Sequence, residues 1–239
     1  MHVATTTTEY TIADQQRMRA ARRYFQWQAR ISGGELGERV LEVGCGMGNF
    51  SDHLHDRKHV VGIDVDENCV AHWKRRFADR PHYTGFRMNA ESPEFRGLKR
   101  YEIDSIACLN VLEHIDEHEL VLRHMWEVLP AGGRVVLMVP AFEALYGEID
   151  ARLGHFRRYT RGSLSAVAES AGFRLRRLKY MNLIGFFGWW ANSKIFKRSE
   201  LSADQIAFFD SYIVPVQSRI EQWISPPVGQ SLIATLEKK

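Results

Sequence analysis

The sequence of 239 residues has few of the features that mark several large protein classes. Its three cysteines have no short paired spacing, which argues against a disulfide framework or a zinc knuckle and fits a reducing compartment. Its apolar runs are too short for a bilayer span of ~20 residues, and its first residues lack the charged-then-apolar order of a secretion signal. These features predict a cytoplasmic protein.

The sequence also has little net charge, +3 at pH 7, although basic residues cluster at 17–23, 155–161 and 174–179. A nucleic-acid-binding protein usually shows a stronger imbalance and a recognisable module. Neither is found here, so we predict no nucleic-acid partner. The first and third clusters are interpreted as solvated surfaces, and the second is considered below with the candidate substrate residues.

Short apolar segments alternate with helical patterns along most of the chain. Strands are predicted at 38–43, 59–63, 83–88, 106–109, 134–139, 173–180 and 231–236. Between them, residues 67–78 have helical periodicity, residues 49–54 begin a helix, and Asp116 with Glu119 resembles a capping box. This order predicts an α/β fold, a Rossmann-like, doubly wound, mostly parallel seven-stranded sheet with a helical cap.

Three regions of one domain are predicted. Residues 1–32 form an N-terminal helical lid, residues 33–140 a cofactor-binding Rossmann-like core, and residues 141–239 an acceptor-side loop, a helical cap and the last strands. The cap at 183–224 is rich in aromatic residues and is divided or kinked at Pro215. Its first part, 183–190, is either a pocket wall or an interface with a membrane or a second copy.

The strongest chemical signal is the run from Val40 to Gly48, VLEVGCGMG. Glycines at 44, 46 and 48 follow the first predicted strand, where they let the backbone turn sharply and let a ligand approach the main chain. Asp64 ends the second predicted strand, where a carboxylate can accept the hydroxyl protons of a ribose. Together they predict an adenosine-containing ligand.

A glycine loop after the first strand and an acid at the end of the second strand occur in proteins that bind two classes of cofactor. The dinucleotide fingerprint is G-x-G-x-x-G, whereas this sequence has G-x-G-x-G followed by Asn49. The segments LEVGCGMG, VGIDVD, LNVLEHI and LPAGGRVVLMVP resemble successive motifs of class I S-adenosylmethionine-dependent methyltransferases over residues 38–140. The resemblance implies S-adenosyl-L-methionine as cofactor, S-adenosyl-L-homocysteine as product, and methyl transfer to an acceptor.

The resemblance also implies a set of cofactor residues, position by position. Those expected to bind the cofactor are Glu42, Gly44, Cys45, Gly46, Gly48, Asp64, Val65, Asn89, Ala90, Asn110 and Val111. Family members usually have an acid where Asn89 stands, so the adenine contact departs from the family pattern. Cys45 is interpreted as a small loop residue rather than a nucleophile.

The segment after the fourth predicted strand indicates the acceptor chemistry. Enzymes that methylate nucleobase amino groups carry an Asn/Asp-Pro-Pro-aromatic motif there, whereas this chain has Asn110-Val-Leu-Glu-His114. We expect His114, Glu113 and the loop residue His155 to be catalytic, with a histidine taking the acceptor's proton. The alternative is that Glu113 and His114 make only local hydrogen bonds.

The loop 154–161 is the second informative segment, since long loops at the carboxyl edge of such sheets bind ligands. The loop and the tail of the chain are similar to bacterial methyltransferases of sugar, polysaccharide or secondary-metabolite pathways. We therefore predict a small-molecule acceptor, methylated at oxygen or nitrogen, and the substrate-binding residues Arg157, Arg158, Tyr159 and Tyr24.

Glu113-His114 with a later loop histidine also resembles the metal sites of small-RNA and ubiquinone-pathway O-methyltransferases. Those sites have a further Glu where this chain has Asn110, so we predict no bound metal. The rival functions are a nicotinamide-dependent oxidoreductase, opposed by the glycine spacing, and a cofactor-binding protein without catalysis. The sequence leaves open the acceptor, the methylated atom and the oligomeric state.

Overall fold

A computed structural model describes residues 15–196 and 202–239. Seven strands form one sheet in the described residues. They are β1 (Arg39–Val43), β2 (His59–Asp64), β3 (Tyr83–Arg87), β4 (Ser105–Leu109), β5 (Arg134–Pro140), β6 (Phe173–Met181) and β7 (Ser231–Lys238). Their order is β3-β2-β1-β4-β5-β7-β6, in which β7 runs antiparallel to both neighbours. The predicted seven-stranded, mostly parallel sheet is confirmed.

The central strands are apolar and largely β-branched because both faces of the sheet are covered. Val40 pairs with Val60 on one side and with Ser105 on the other, and all three are buried. On one face Leu41 belongs to a cluster that includes residues of the helix after β4. On the opposite face Val40 packs in a second cluster, which contains Trp73. The core therefore lies on both sides of the sheet.

Helices cover the two faces and build the cap. They are α1 (Arg22–Gly33), α2 (Glu67–Arg76), α3 (His118–Val128), α4 (Glu148–Leu153), α5 (Arg161–Ser170), α6 (Leu183–Trp190), α7 (Ala203–Phe208) and α8 (Val214–Ile220). A π-helical turn, Ala191–Ile195, continues α6, and another, Phe209–Ile213, joins α7 to α8. Pro215 stands in the first turn of α8, and the chain passes from the π turn into α8 without a break, so the division predicted there is not observed.

Two buried carboxylates join the cap to the rest of the molecule. Asp210 accepts hydrogen bonds from the backbone N–H groups of Arg23 (3.2 Å) and Tyr24 (2.8 Å), at the exposed N-terminus of α1. Glu221 accepts from the backbone N–H groups of Asn182 and Leu183, both at 2.9 Å, where α6 begins. Unpaired donors at helix N-termini favour acidic partners, so these contacts fix the cap against α1 and β6.

Several predicted details are corrected. The capping box at Asp116 and Glu119 does not form: α3 begins at His118, Asp116 binds Arg157, and Glu119 pairs with Arg123. The helix expected to begin in 49–54 is a single 3-10 turn, Ser51–Leu54. The segment after β5, predicted as a loop, contains α4. The described part of the predicted helical lid at 1–32 is broken at residues 19–21, and residues 1–14 lie outside the described ranges.

The topology places a crevice where the strand order reverses. The chain moves from β1 outward to β2 and β3, and then returns to β4 on the other side of β1. Ligands in such sheets bind at this switch point, outside the carboxyl ends of the strands. Within the described ranges, no helix combines the length and the apolar character needed to cross a membrane.

Candidate active site

The loop that follows β1 contains three glycines in left-handed backbone conformations, which favour glycine. Gly44, Gly46 and Gly48 have φ values of +73°, +49° and +83°. A Cβ atom at Gly44 would lie 2.2 Å from Cγ2 of Val111, and one at Gly48 would lie 2.5 Å from the ring of Phe77. Larger residues at Gly44 and Gly48 are therefore disfavoured both by the backbone conformation and by the lack of space for a side chain. The contact with Val111 also places the segment after β4 directly against the loop.

Asp64 ends β2 beside this loop. Its Oδ2 accepts a hydrogen bond from the backbone N–H of Gly46 at 2.8 Å, and its Oδ1 accepts from Asp66 N at 3.0 Å. Burial raises the pKa of Asp64, and the two backbone donors oppose that rise. A carboxylate oxygen has more than one acceptor site, so the group can still accept hydroxyl protons. The neighbouring Val65 is 61% exposed and presents an apolar surface next to it.

Glu42 of β1 is buried and accepts a hydrogen bond from the hydroxyl of Ser51. That hydroxyl oxygen in turn accepts from Nε1 of Trp73 at 2.7 Å. Burial raises the pKa of Glu42 to about 8, and the nearby Asp64 adds to the rise. Cys45 is also buried, and burial raises the pKa of its thiol, which disfavours a nucleophilic thiolate.

The remaining predicted cofactor residues lie at the carboxyl ends of β3 and β4. Asn89 is exposed, and its Oδ1 accepts the backbone N–H of Glu91 at 3.0 Å, while Ala90 beside it is buried. Asn110 has a φ of +55° and donates its backbone N–H to Met138 at 2.8 Å. The structure therefore brings these two strand ends to the same edge as the glycine loop.

A cluster of titratable side chains follows Val111 in a 3-10 turn, Leu112–His114. Glu113 is 1% exposed, and its Oε2 has no hydrogen-bond partner among the described residues. The rings of His114 and His155 are 4.6 Å apart at an interplanar angle of 87°. One ligand-type atom from each of Glu113, His114 and His155 lies within 4.8 Å of the other two. The three predicted catalytic residues are thus neighbours.

His155 is oriented by a residue that sequence analysis did not identify. Its Nδ1 lies 2.8 Å from Oδ1 of Asp150, which is 0% exposed. The same Oδ1 accepts from Nε of Arg158 at 2.9 Å, and Asp150 Oδ2 accepts from Gly147 N at 3.1 Å. The pKa of Asp150 is lowered because the bonds from His155 and Arg158 outweigh the cost of burial. An ionised carboxylate there favours the tautomer of the neutral ring in which Nδ1 carries the proton and Nε2 is the acceptor nitrogen.

The other two members of the cluster have displaced pKa values. Burial raises the pKa of Glu113 to about 7, and the nearby His155 opposes the rise. Desolvation, followed by repulsion from His155, lowers the pKa of His114, although part of this residue is exposed to solvent. Perturbed groups of this kind concentrate at functional sites.

The loop residues predicted to bind the substrate form hydrogen bonds and ion pairs with other residues of the protein. Arg157 contacts the surface residue Asp116 through Nη2, at 2.8 Å. The guanidinium of Arg158 is 1% exposed, bound to Asp150 and stacked over Trp189 at 4.7 Å. Tyr159 is buried, and its hydroxyl donates to the backbone oxygen of Leu112 at 3.3 Å. Both side chains are thus buried and bonded within the protein, and their predicted contact with the acceptor stays a prediction.

Tyr24 reaches the same region from α1. Burial raises the pKa of its hydroxyl, the side chains of Ser231 and Gln28 oppose that rise, and the carboxylates of Glu221 and Glu113 add to it. The backbone N–H of Tyr24 is also bonded to Asp210 of the cap. This location fits the predicted contact with the acceptor, which stays a prediction.

Comparison with known protein families identifies the family of this chain. A family model described as "Methyltransferase domain" matches residues 15–178, which include the glycine loop, Asp64 and the cluster. The chain belongs to the class I S-adenosylmethionine-dependent methyltransferases. The resemblance found in the sequence is thereby confirmed.

Curated relatives are similar over part of this methyltransferase. The ubiquinone biosynthesis O-methyltransferase of Aeromonas salmonicida is 29% identical over 113 residues, which cover 46% of this chain and 47% of that one. The mitochondrial ubiquinone biosynthesis O-methyltransferase of Saccharomyces cerevisiae is 34% identical over 93 residues, covering 38% and 29%. The matches span about half of these relatives or less.

Solved structures show the same fold. A SAM-dependent methyltransferase from Thermotoga maritima superposes with a TM-score of 0.61 at 18% identity, covering 95% of each chain. The geranyl diphosphate C-methyltransferase of Streptomyces coelicolor superposes with a TM-score of 0.61 at 14% identity, covering 89% of this chain and 77% of that one. Identities this low support the methyltransferase fold and nothing finer.

Two residues of this methyltransferase's site escaped sequence analysis. Asp150 follows no motif, although a catalytic histidine generally needs a group that orients its ring, and Asp150 lies five residues before His155. Ser51 carries no signal in the sequence, because its contact with Glu42 depends on how the loop after Gly48 folds back over β1.

Proposed function

We propose that this methyltransferase moves the methyl group of S-adenosylmethionine to a hydroxyl or amine of a small molecule. The observation that carries the proposal is the Asp150–His155 pair, next to His114 and Glu113 and linked through Val111 to the glycine loop. A histidine with one nitrogen fixed by a carboxylate can act as a general base through the other nitrogen.

The residues at the carboxyl edge fit the cofactor. Gly44, Gly46 and Gly48 would bring the backbone close to its amino-acid portion, and Asp64 would accept its ribose hydroxyls. The exposed side chain of Val65 would contact the adenine, and Asn89 would offer an amide to the adenine amino group. When bound, the cofactor supplies an electrophilic methyl group on a sulfonium.

The protein's own contribution is alignment and removal of one proton. Methyl transfer is an in-line displacement, so holding the acceptor in the correct geometry lowers the barrier more than any covalent step. Nε2 of His155 would take the proton of the acceptor, and the ionised Asp150 would stabilise the imidazolium that forms. We assign this role to His155 rather than His114 because only His155 has a carboxylate on its other nitrogen.

The acceptor is proposed to be small, polar and methylated at oxygen or nitrogen. The relatives named as O-methyltransferases favour oxygen. The likeness of the loop to enzymes of sugar and secondary-metabolite pathways favours an acceptor with several hydroxyls, and Tyr24 and Arg157 are its proposed contacts. The buried free thiols of Cys45, Cys69 and Cys108 fit a reducing, cytoplasmic environment.

A second arrangement of the same cluster uses a divalent ion. Glu113, His114 and His155 offer three ligand atoms, Glu113 has an unpartnered oxygen, and a carboxylate on the far nitrogen is typical of metal-binding histidines. Such an ion would activate an acceptor hydroxyl as a Lewis acid. We favour the metal-free site because Asn110 replaces the fourth, acidic ligand.

The experiment incubates the purified protein with methyl-labelled S-adenosylmethionine and a panel of catechols, phenols, amines and hydroxylated sugar derivatives. We expect labelled product and S-adenosylhomocysteine with at least one class, and none with RNA or protein. Binding of adenosylhomocysteine without turnover on any acceptor class would favour a cofactor-binding protein. Efficient methylation of RNA or protein would overturn the small-molecule proposal.

A further inference from the structure

The helix that runs from α7 through its π turn into α8 has an unusual distribution of polarity. Phe208, Tyr212, Val216 and Ile220 follow one another at intervals of four residues, and all are exposed. Intervals of four place side chains on one helical face, and the rings of Phe208 and Tyr212 are 5.2 Å apart. Trp223, just beyond the helix, is 84% exposed. We call these five residues the apolar stripe.

The opposite face of the same helix is buried and mostly polar. Asp210, Gln217, Ser218 and Glu221 all point inward, together with Val214. The two carboxylates and the amide are occupied there: Asp210 caps α1, Glu221 caps α6, and Gln217 binds Glu221 and Asn182. An ordinary surface helix buries its apolar face and exposes its polar one, so this helix is inverted.

Exposed apolar side chains concentrate in this part of the molecule. Of the fourteen large hydrophobic residues exposed in the described ranges, eleven lie between Ile184 and Ile224. Glu221 binds the backbone N–H of Leu183 at 2.9 Å, so the start of α6, with the exposed Ile184, adjoins the end of α8. Concentrations of exposed apolar residues on this scale mark interaction surfaces.

The charges around the stripe indicate what covers it. Among the described residues of 183–224, the exposed charged side chains are Lys194, Arg219 and Asp204, because Asp210 and Glu221 are turned inward and bonded. Arg219 directly precedes Ile220 of the stripe, and Lys194 lies in the π turn that follows α6. The charge left for the surface is therefore positive, and Trp and Tyr are the residues that favour a membrane interface.

We propose that the apolar stripe and its basic flank bind the surface of an anionic lipid bilayer. The inverted helix would lie in the plane of the interface, with its apolar side chains among the acyl chains and Arg219 at the headgroups. The inward-facing polar residues would stay in place, because they already bind α1 and α6. This surface is additional to the proposed methyl transfer and does not depend on it.

The experiment measures binding of the full chain to vesicles by co-sedimentation, with no substrate present. One set of vesicles is an equal mixture of phosphatidylglycerol and phosphatidylcholine, and the other is pure phosphatidylcholine. We expect binding to the anionic vesicles that weakens as salt is raised, with a shift of tryptophan emission to shorter wavelength. Failure to sediment with anionic vesicles at low salt would overturn the proposal.

Variants test the residues. Trp223→Ser and Ile220→Ser should each weaken vesicle binding by about tenfold, as expected when a large apolar side chain no longer leaves water. Arg219→Glu should weaken binding to anionic vesicles, whereas Lys58→Glu, the same charge change on the exposed start of β2, should not. Leu120→Ser, an exposed apolar change on α3, is the matched control for the stripe. Equal effects of the stripe and control variants would contradict the proposal.

The competing occupant is a second copy of the chain. Sedimentation velocity on the same proteins distinguishes it: a dimer that Trp223→Ser and Ile220→Ser dissociate would assign the stripe to self-association and overturn the lipid proposal. A monomer that binds anionic vesicles supports it. Thermal unfolding of each variant shows whether it is folded, and the exposed positions of the substituted side chains make loss of folding an unexpected result.

Discussion

Nδ1 of His155 lies 2.8 Å from Oδ1 of Asp150, and this contact determines which ring nitrogen can accept a proton. Replacing Asp150 by Asn keeps the shape of the side chain but removes its charge. We expect kcat to fall by ~10²–10⁴, with the acceptor KM and the affinity for adenosylhomocysteine changed little. Steady-state kinetics and isothermal titration calorimetry provide the two readouts.

The control for this prediction is Asp116→Asn, which removes a surface partner of Arg157 and should leave kcat near the wild-type value. His155→Ala should lower kcat at least as much as Asp150→Asn, because it removes the base itself, whereas Asp150→Asn removes only the carboxylate that orients it. A rise in KM alone, or a loss that only follows the fraction of folded protein, would show that Asp150 has a structural role without positioning the base.

The second prediction concerns the metal-free site. Exhaustive dialysis against a chelator should leave turnover unchanged, because we assign the acceptor's proton to His155 rather than to a metal-bound oxygen. Turnover before and after dialysis, with the metal content measured by mass spectrometry, is the test. Loss of activity that a divalent ion restores would instead assign Glu113, His114 and His155 as ligands.

The sequence was sufficient to predict the sheet and the glycine loop, because both depend on local patterns. Buried strands such as β5 appear as continuous apolar runs, and Gly44, Gly46 and Gly48 need their positive φ values at fixed positions after β1. Asp64 could be found because it ends the next strand along the chain. Each of these signals involves residues that are near in sequence or at the end of an element.

The rest of the site depends on contacts that no local pattern encodes. Asp150 reaches His155 because the segment after β5 forms the short helix α4, where the sequence predicted an irregular loop. Arg158 was predicted to bind the substrate because it is a basic residue in the loop, but its guanidinium forms an ion pair with the buried Asp150. The capping box at Asp116 failed for the same reason, since Arg157 competes for that carboxylate. Tertiary ion pairs decided all three cases.

The third prediction tests the cofactor site. Asp64→Ala should weaken the binding of adenosylhomocysteine by roughly 1.5–3 kcal/mol, the loss expected for charge-assisted hydrogen bonds. Isothermal titration calorimetry on the two proteins measures it directly. Asp56→Ala, at an exposed aspartate before β2, is the control and should bind like the wild type. Undiminished binding by the Asp64 variant would remove this residue from the site.

The fourth prediction is a pH dependence of stability that originates at Glu42. Its folded-state pKa of about 8 is above the ordinary value of 4.5, so between these values the folded protein binds more protons than the unfolded chain. The contribution of Glu42 to the free energy of unfolding therefore falls as pH rises from 4.5 to 8. Glu42→Gln cannot ionise and should lose less stability over this range.

Urea unfolding at pH 5 and at pH 8.5 checks this expectation. The difference between the two midpoints should be smaller in Glu42→Gln than in the wild type, while Glu38→Gln, at a half-exposed glutamate just before β1, should behave like the wild type. Other titrating groups, including Asp64 near Glu42, affect wild type and variant alike to first order. The same midpoint difference in both proteins would mean that Glu42 titrates near its ordinary value.

The last prediction separates two adjacent arginines. Arg158 is 1% exposed and binds the fully buried Asp150, so Arg158→Ala leaves an uncompensated charge in the interior. Breaking such a pair costs about 3–5 kcal/mol, which corresponds to a fall in melting temperature of roughly 10 °C for a chain of this size. Arg157 pairs with Asp116 at the surface, where a salt bridge contributes about 0–1 kcal/mol. Arg157→Ala should therefore leave the melting temperature nearly unchanged and raise the acceptor KM.

Calorimetry and acceptor titrations on both variants test this division of roles. Equal, small effects of the two substitutions on stability and on KM would contradict both the buried ion pair and the proposed contact with the acceptor.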